Sequence, residues 1–444
     1  MTQQTPRTTR IDVESLARVE GEGALRILLE EGRIDDVQLN IYEPPRFFEG
    51  FLRGRGYQET VDITARICGI CPVAYQMSAV HAVEDALGVE VAGPVADLRR
   101  LLYCGEWIES HGLHVYMLHA PDFVGLESSS SMAADDALRP LLERGLRIKR
   151  AGNRLMTIIG GREIHPVSVC VGGFYRAPRA AALRAMLPEL EWGLEAAVAT
   201  TRWAATLDYP DFDVPYDFVA LSHPDEYAIN EGSFDSSSGL NVPVEAYEEH
   251  FQEVHVAHSN ALHSRFRHKE GSYFVGPLAR VNLNFAQLSP AARRVAAEID
   301  FAPPVTNPFK SLIARSLELV HSFEESIALV RDYQELRPSR TMPPARLQAG
   351  RGAHATEAPR GTLYHRYEVD AEGLIVSARI VPPTAQNLKR MEDDLWQYAP
   401  GVLSLPLEEA TLRCEQLVRS YDPCISCATH FLSLEIEEGA RGWS

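Results

Sequence analysis

Four of the chain's seven cysteines stand in two Cys-x-x-Cys pairs, Cys68-Gly69-Ile70-Cys71 near one end and Cys424-Ile425-Ser426-Cys427 near the other. Each pair puts two thiols on a turn beside a helix, a spacing that lets both sulfurs face one ion. Cys71 and Cys424 lie 353 positions apart, whereas zinc ribbons separate their pairs by roughly 15 to 20 residues. A fold that uses all four sulfurs at one point must bring its two ends together. The donor set by itself leaves two readings open. One is a structural zinc site; the other is nickel and iron, which thiolates also suit and whose selection rests on geometry and delivery more than on affinity. Thioredoxin-like chemistry would need only one pair. The odd cysteine count and this pairing suit metal binding better than a secreted disulfide framework, and a reducing cytoplasm is the expected home.

The bulk numbers exclude more than they identify. With 61 acidic against 43 basic residues the formal charge is −18, so most of this surface repels a phosphate backbone and nucleic acid is not an expected partner. Met1 to Arg10 is polar and no uninterrupted apolar stretch is long enough to cross a bilayer, so neither an export signal nor a membrane partner is expected. No Gly-x-Gly-x-x-Gly or P-loop fingerprint occurs. Cys104, Cys170 and Cys414 are isolated in apolar settings and read as small buried hydrophobes, which leaves no signature of an iron-sulfur cluster in this chain.

Hydrophobic periodicity gives a helix-rich α+β chain. Leu25, Ile27 and Leu29, then Ile34, Val37, Leu39 and Ile41, alternate as a hairpin over Ala24 to Tyr42, with Glu31-Gly32 as the turn. A helix opens at Cys71-Pro72 and stops at Gly88. Long helical patterns follow at Ala96 to His114, Leu141 to Ile159, Pro178 to Leu207, Val244 to His263 and Pro308 to Leu336. Glu127 to Ser131, Asp235 to Gly239 and the Pro/Gly-rich Pro343 to Gly361 read as irregular linkers. A second hairpin, Leu363 to Val381 around Asp370 to Gly373, precedes a last helical pattern. His250, His255, His258, His263 and His268 form a tempting cluster, but on the expected polar helix they spread around it and read as surface residues.

The residues flanking the cysteines carry a resemblance. Arg66-Ile67-Cys68-Gly69-Ile70-Cys71-Pro72 and Asp422-Pro423-Cys424-Ile425-Ser426-Cys427-Ala428-Thr429-His430 resemble the two signatures of nickel-iron hydrogenase large subunits. Further motifs run in order between them: Arg18-Val19-Glu20-Gly21, Arg46-Phe47-Phe48-Glu49-Gly50, Gly160-Gly161-Arg162 with His165-Pro166, Gly276-Pro277-Leu278-Ala279-Arg280, Glu357-Ala358-Pro359-Arg360-Gly361 and Val381-Pro382-Pro383-Thr384. The resemblance covers nearly the whole length. It implies one integrated large-subunit domain over residues 1–444, with long central helices and small peripheral sheets.

The resemblance further implies that Cys68 and Cys424 are terminal nickel ligands, and that Cys71 and Cys427 bridge nickel to an iron carrying carbon monoxide and cyanide. Hydrogen is then split heterolytically, which requires a nearby base; Cys424 and Glu20 match the family's proton exit. Arg360 matches a guanidinium held over the metals. Pro382, Pro383 and Thr384 match the segment that cradles a cyanide, with Pro383 where the family often has Ser. Glu49 and His430 match the ligands of a magnesium ion. Residues 431–444 match an extension removed by a maturation protease after nickel insertion by dedicated proteins; their alternating Phe431 to Ile436 equally suits a retained strand.

Two departures bear on the subtype. Tyr75-Gln76 follows the first pair where many relatives have His, and Glu22 stands where many have His after Arg-x-Glu-Gly. Both resemble the cytoplasmic NADP-linked sulfhydrogenase type, which implies an iron-sulfur small subunit, ferredoxin-like and FAD-containing NADP-binding diaphorase subunits, and H2 as substrate. The competing readings are a scaffold subunit of a respiratory-complex-like assembly that lacks the metal centre, against which the complete thiolate set argues, and a structural four-cysteine zinc protein.

Overall fold

The structure, a computed structural model, describes residues 8–30, 33–335 and 347–429. Gly23–Glu30 and Arg33–Ile41 form the expected antiparallel hairpin, and strict alternation buries Leu25, Ile27, Leu29, Val37, Leu39 and Ile41 on one face. A strand that the polar N-terminus does not announce, Thr8–Val13, adds to its edge, pairing Ile11 with Ile27.

The Pro72–Leu87 helix starts on Cys71, has proline in its first turn, and ends on Gly88 at φ 64°, the left-handed stop that glycine provides without steric cost. Behind it three long helices, Pro94–Leu113, Arg139–Gly160 and Ser311–Asp332, form the centre of the molecule with Leu187–Ala204. The expected helix over Pro178 to Leu207 is two, Ala180–Arg184 and Leu187–Ala204, because Pro188 has no N–H for a preceding turn and restricts the residue before it. Leu407–Ser420 and Pro383–Val402 supply the last helical pattern. Among the described residues no helix is long and apolar enough to cross a membrane.

Two further expectations fail for physical reasons. The stretch from Val244 to His263 is not a helix: one short turn, Tyr247–His250, leads into the strand Phe251–Val254, which pairs with His263–Phe266. Tyr247 stacks on Phe251 at 4.8 Å and on Tyr364 at 4.3 Å, and Phe251 also meets Phe266 and Tyr273. This aromatic packing outweighs a weak helical pattern. Second, part of the linker expected at Pro343 to Gly361 is a largely buried strand, Gly350–Ala358, in a sheet with Gly361–Val369 and Ile375–Val381. Its glycines serve proximity: a Cβ on Gly352 would lie 2.3 Å from the Ala82 carbonyl, so the strand crosses the Pro72–Leu87 helix at backbone contact.

One hydrophobic cluster extends from Ile11 to Ala428, with a smaller one around Phe234 and Tyr364. Pro94–Leu113 and Arg139–Gly160 also pack backbone to backbone, since a Cβ on Gly152 would meet the Gly105 carbonyl at 2.5 Å and the Glu109 nitrogen at 2.6 Å. Gly152→Ala is expected to destabilise the chain by about 1–3 kcal/mol through this overpacking. The control Gly401→Ala, whose Cβ meets nothing within 4 Å, is expected to be neutral or stabilising; thermal unfolding of both variants checks the contrast.

Candidate metal centre

The four sulfurs converge. Cys68 follows a single 3-10 turn, Ala65–Ile67, Cys71 opens the Pro72–Leu87 helix, and Cys424 opens the short Ile425–Ala428 helix that carries Cys427. Their Sγ atoms all lie within 4.8 Å of one another: Cys68 to Cys424 is 3.7 Å, Cys71 to Cys427 is 3.8 Å and Cys424 to Cys427 is 2.7 Å. All four are buried and none is in a disulfide. Crowding keeps most of them protonated in the absence of a cation. Burial, followed by its neighbouring thiols, pushes Cys424 well up. Burial also opposes ionisation of Cys68, but hydrogen bonds from the other thiols and the charge of Arg360 outweigh it and hold that thiol well down.

Several contacts fasten the two chain ends at this point. Glu20 N–H donates to the Pro423 carbonyl at 3.3 Å, and Ile425 N–H donates to the Glu20 carbonyl at 2.9 Å. Arg46 joins the two cysteine motifs directly, donating to the Ile67 carbonyl at 2.8 Å and to the Ser426 carbonyl, and its own N–H donates to Thr429 O at 2.7 Å. Asp122 accepts from Arg18 at 2.5 Å and from Arg419 at 2.8 and 2.9 Å. It thereby ties the segment carrying Glu20 to the helix that leads into Cys424. Glu106 is wholly buried and accepts from the Val73 and Ala74 N–H groups at 2.5 and 3.0 Å, satisfying free donors in the first turn after Cys71. Of these, Arg46 lies inside a motif of the sequence, but Glu106 and Asp122 carry no local signal.

The residues expected around the cysteines separate into those placed at the centre and those that are not. Glu20 Oε2 accepts from Cys424 Sγ at 2.9 Å and from Ser426 N–H at 3.1 Å. Burial, then the charge of Cys68, raises its pKa, as suits a group that takes up a proton. Ser426 Oγ donates onward to Glu43 at 2.9 Å, a half-buried carboxylate that the sequence motifs did not single out. Arg360 is buried, with Nε on the Asp422 carbonyl at 2.9 Å and one Nη on the Asp422 carboxylate at 3.1 Å. Burial disfavours its charge, but Asp422 and the thiols of Cys424, Cys71 and Cys68 outweigh that and hold its pKa well up. Its other nitrogen, Nη1, is buried without a hydrogen-bond partner.

Thr384 Oγ1 accepts from the Cys424 N–H at 2.9 Å, in the first turn of a helix capped by Pro382 and opened by Pro383. Glu49 accepts from Ile380 N–H at 2.8 Å; His430 lies outside the described residues, as does the 431–444 segment. Tyr75, standing where many relatives have His, is buried with its hydroxyl unpartnered. Cys104 and Cys414 are buried as expected, the latter pushed up to about 12 by burial, while Cys170 is half-buried on a short strand.

This donor set fits a thiolate-ligated transition-metal centre. A closed zinc site needs no further groups, whereas this one has the buried charge of Arg360 acting on the thiols and a carboxylate hydrogen-bonded to the Cys424 thiol. A family model for nickel-dependent hydrogenase matches residues 46–139 and 234–430. The chain belongs to the nickel-dependent hydrogenase large subunits. It is 34% identical to sulfhydrogenase 1 subunit alpha of Pyrococcus furiosus over 96% of this chain and 98% of that one. Identity to the NAD-reducing hydrogenase HoxS subunit beta of Cupriavidus necator is 25%, over 95% of each. The crystal structure of an NAD+-reducing NiFe-hydrogenase in the H2-reduced state superimposes with a TM-score of 0.83 at 27% identity, covering 95% of this chain and 99% of the other.

In this hydrogenase large subunit, Asp122→Ala is expected to cost about 3 kcal/mol, because it removes the nearest carboxylate from Arg18 and Arg419 and leaves Arg419 only Glu415 at 3.7 Å. Chemical denaturation of the variant measures this, and a loss below 1 kcal/mol would remove Asp122 from its role in joining the ends.

Proposed function

We propose that this chain is the catalytic subunit of a hydrogenase that interconverts H2 with protons and electrons at a nickel-iron centre held by Cys68, Cys71, Cys424 and Cys427. The observation that carries the reading is the hydrogen bond between Cys424 and Glu20 on a buried cluster of four thiols, with the buried charge of Arg360 acting on the same thiols. When bound, the metal pair supplies the heterolytic cleavage of hydrogen. Cys68, Cys71, Cys424 and Cys427 would hold the nickel and iron, and Arg360 would offer a fixed cationic donor to diatomic ligands on the iron. Thr384, with Pro382 and Pro383 at its helix start, fixes the Cys424 backbone and would help to seat a cyanide.

Proton movement is the work of the chain itself. Cys424 Sγ passes a proton to Glu20 Oε2 across 2.9 Å, and the carboxylate's raised pKa matches that exchange. Ser426, whose N–H donates to Glu20, holds Glu43 alongside through its hydroxyl. Glu20→Gln is expected to retain nickel and iron but to slow hydrogen-deuterium exchange by at least about 10²-fold. Exchange at the native rate would take Glu20 out of the proton route.

The remaining assignments rest on the resemblance of the sequence motifs. Glu49 and His430 hold a magnesium ion, residues 431–444 are removed on maturation after nickel insertion, and the enzyme works in the cytoplasm. Electrons leave through an iron-sulfur small subunit to flavin-containing, NADP-binding partners. Metal analysis with infrared spectroscopy on protein matured and purified with its partners tests the centre. One nickel and one iron per large subunit, after subtracting cluster iron, with cyanide and carbon monoxide bands, is the expected result. Zinc alone in matured protein would overturn the reading.

A further inference from the structure

A second group of metal-binding side chains lies apart from the four cysteines. His81 is on the Pro72–Leu87 helix, ten residues beyond Cys71 and so about 15 Å along the helix axis at 1.5 Å per residue. His354 is on the Gly350–Ala358 strand that crosses this helix. Glu231 is in the loop between the strands Val219–Ser222 and Ser233–Ser236. His81 Nδ1 stands 3.2 Å from His354 Nε2 and 3.1 Å from a Glu231 carboxylate oxygen, and His354 Nε2 is 3.8 Å from the other oxygen. The Asn230 carbonyl oxygen is 2.7 Å from His354 Nε2.

With the His354 Nε2–H given to the Asn230 carbonyl and the His81 Nδ1–H to Glu231, the two imidazole nitrogens still stand 3.2 Å apart with no hydrogen bond between them. A cation among them would use both nitrogens as lone-pair donors, and the spacing agrees. Four ligands at the 2.0–2.1 Å bonds of zinc to nitrogen and oxygen stand about 3.3 Å apart at the corners of a tetrahedron, and the measured separations bracket that value. His81 and His354 are largely buried, which pre-organises them, and the exposed Glu231 borders a pocket of about 110 Å³ that gives an ion a path in. Arg99 and Arg100 also line the pocket, but Arg99 is paired with Glu84 and Arg100 with Glu226 and Glu325, so the local positive charge is compensated.

We propose that His81, Glu231 and His354, completed by the Asn230 carbonyl, bind a divalent first-row transition ion of the zinc class. Two imidazoles select against magnesium and calcium. The ion would join the helix that begins at Cys71 to the strand that leads into Arg360, and so brace the two elements that present the metal centre from outside it.

The test uses the matured protein with its partners, treated with a mild chelator and titrated with Co2+ as a spectroscopic probe. One equivalent is expected to bind with visible ligand-field bands, without thiolate charge transfer in the near ultraviolet, and to be displaced by Zn2+. His354→Ala should abolish this signal, and Glu231→Gln, isosteric and half-exposed, should weaken binding at least about tenfold. The absence of a thiolate-free Co2+ signal in the unaltered protein, or a signal unchanged in Glu231→Gln, would overturn the proposal. Should His354→Ala fail to fold, the Glu231→Gln titration decides it alone.

Discussion

Four sulfur ligands brought to one buried point carry an electrostatic cost that shapes everything around them, since thiolates removed from water repel one another and need a cation to share the site. The surroundings are built for that load. Arg360 brings a permanent positive charge against the thiols, and the Ile70 and Cys71 N–H groups point at Cys68 Sγ from 3.3 and 3.2 Å. The two motifs must also be held in register from opposite ends of the chain. Backbone pairing of Glu20 with Pro423 and Ile425, the bridging guanidinium of Arg46 and the shared carboxylate of Asp122 all do this by contacts over long sequence separations.

Behind Arg360 lies a second buried charge network that explains another of the sequence motifs. Arg280 is wholly buried and pairs with Glu318 at 2.7 and 2.8 Å and with Glu357 at 2.9 Å. It also donates to the carbonyls of Ala358 and Pro359 at 2.9 and 3.1 Å, the two residues before Arg360. Tyr227 and His111 complete the environment of Glu318, while Glu357 accepts from the Leu221 N–H and is pushed up to about 7, chiefly by burial. Such a network is costly unless fully satisfied. Here its return is position: it fixes the turn from which Arg360 reaches the thiols.

The sequence motifs anticipated which residues converge on the four sulfurs, because thiol pairs and helix starts are set by residue types at short spacings. Cys68 with Cys71, Cys424 with Cys427, and the Pro72 start of the intervening helix are local features. Glu43, Glu106 and Asp122 were not legible, since an isolated carboxylate is normally a solvated one and their roles depend on partners 32 to 383 positions away. The histidines between His250 and His268 show the converse. They were read on one helix, yet His250 closes a short helical turn, His255 and His258 lie in the connection between two paired strands, His263 opens the second strand and His268 follows it; His258 and His263 both approach Glu392.

By itself the sequence determined the hairpin, the long central helices, the two Cys-x-x-Cys pairs and the membership of this chain in its family, because periodicity, caps and motif spacing act over a few residues. Only the tertiary structure decided that Gly350–Ala358 is a buried strand, that Pro178 to Leu207 breaks in two, and that Glu43, Glu106 and Asp122 support the cysteine motifs. Those outcomes turn on close packing and on electrostatic pairing between distant segments: a glycine that permits backbone contact looks, in one dimension, the same as a glycine that makes a turn.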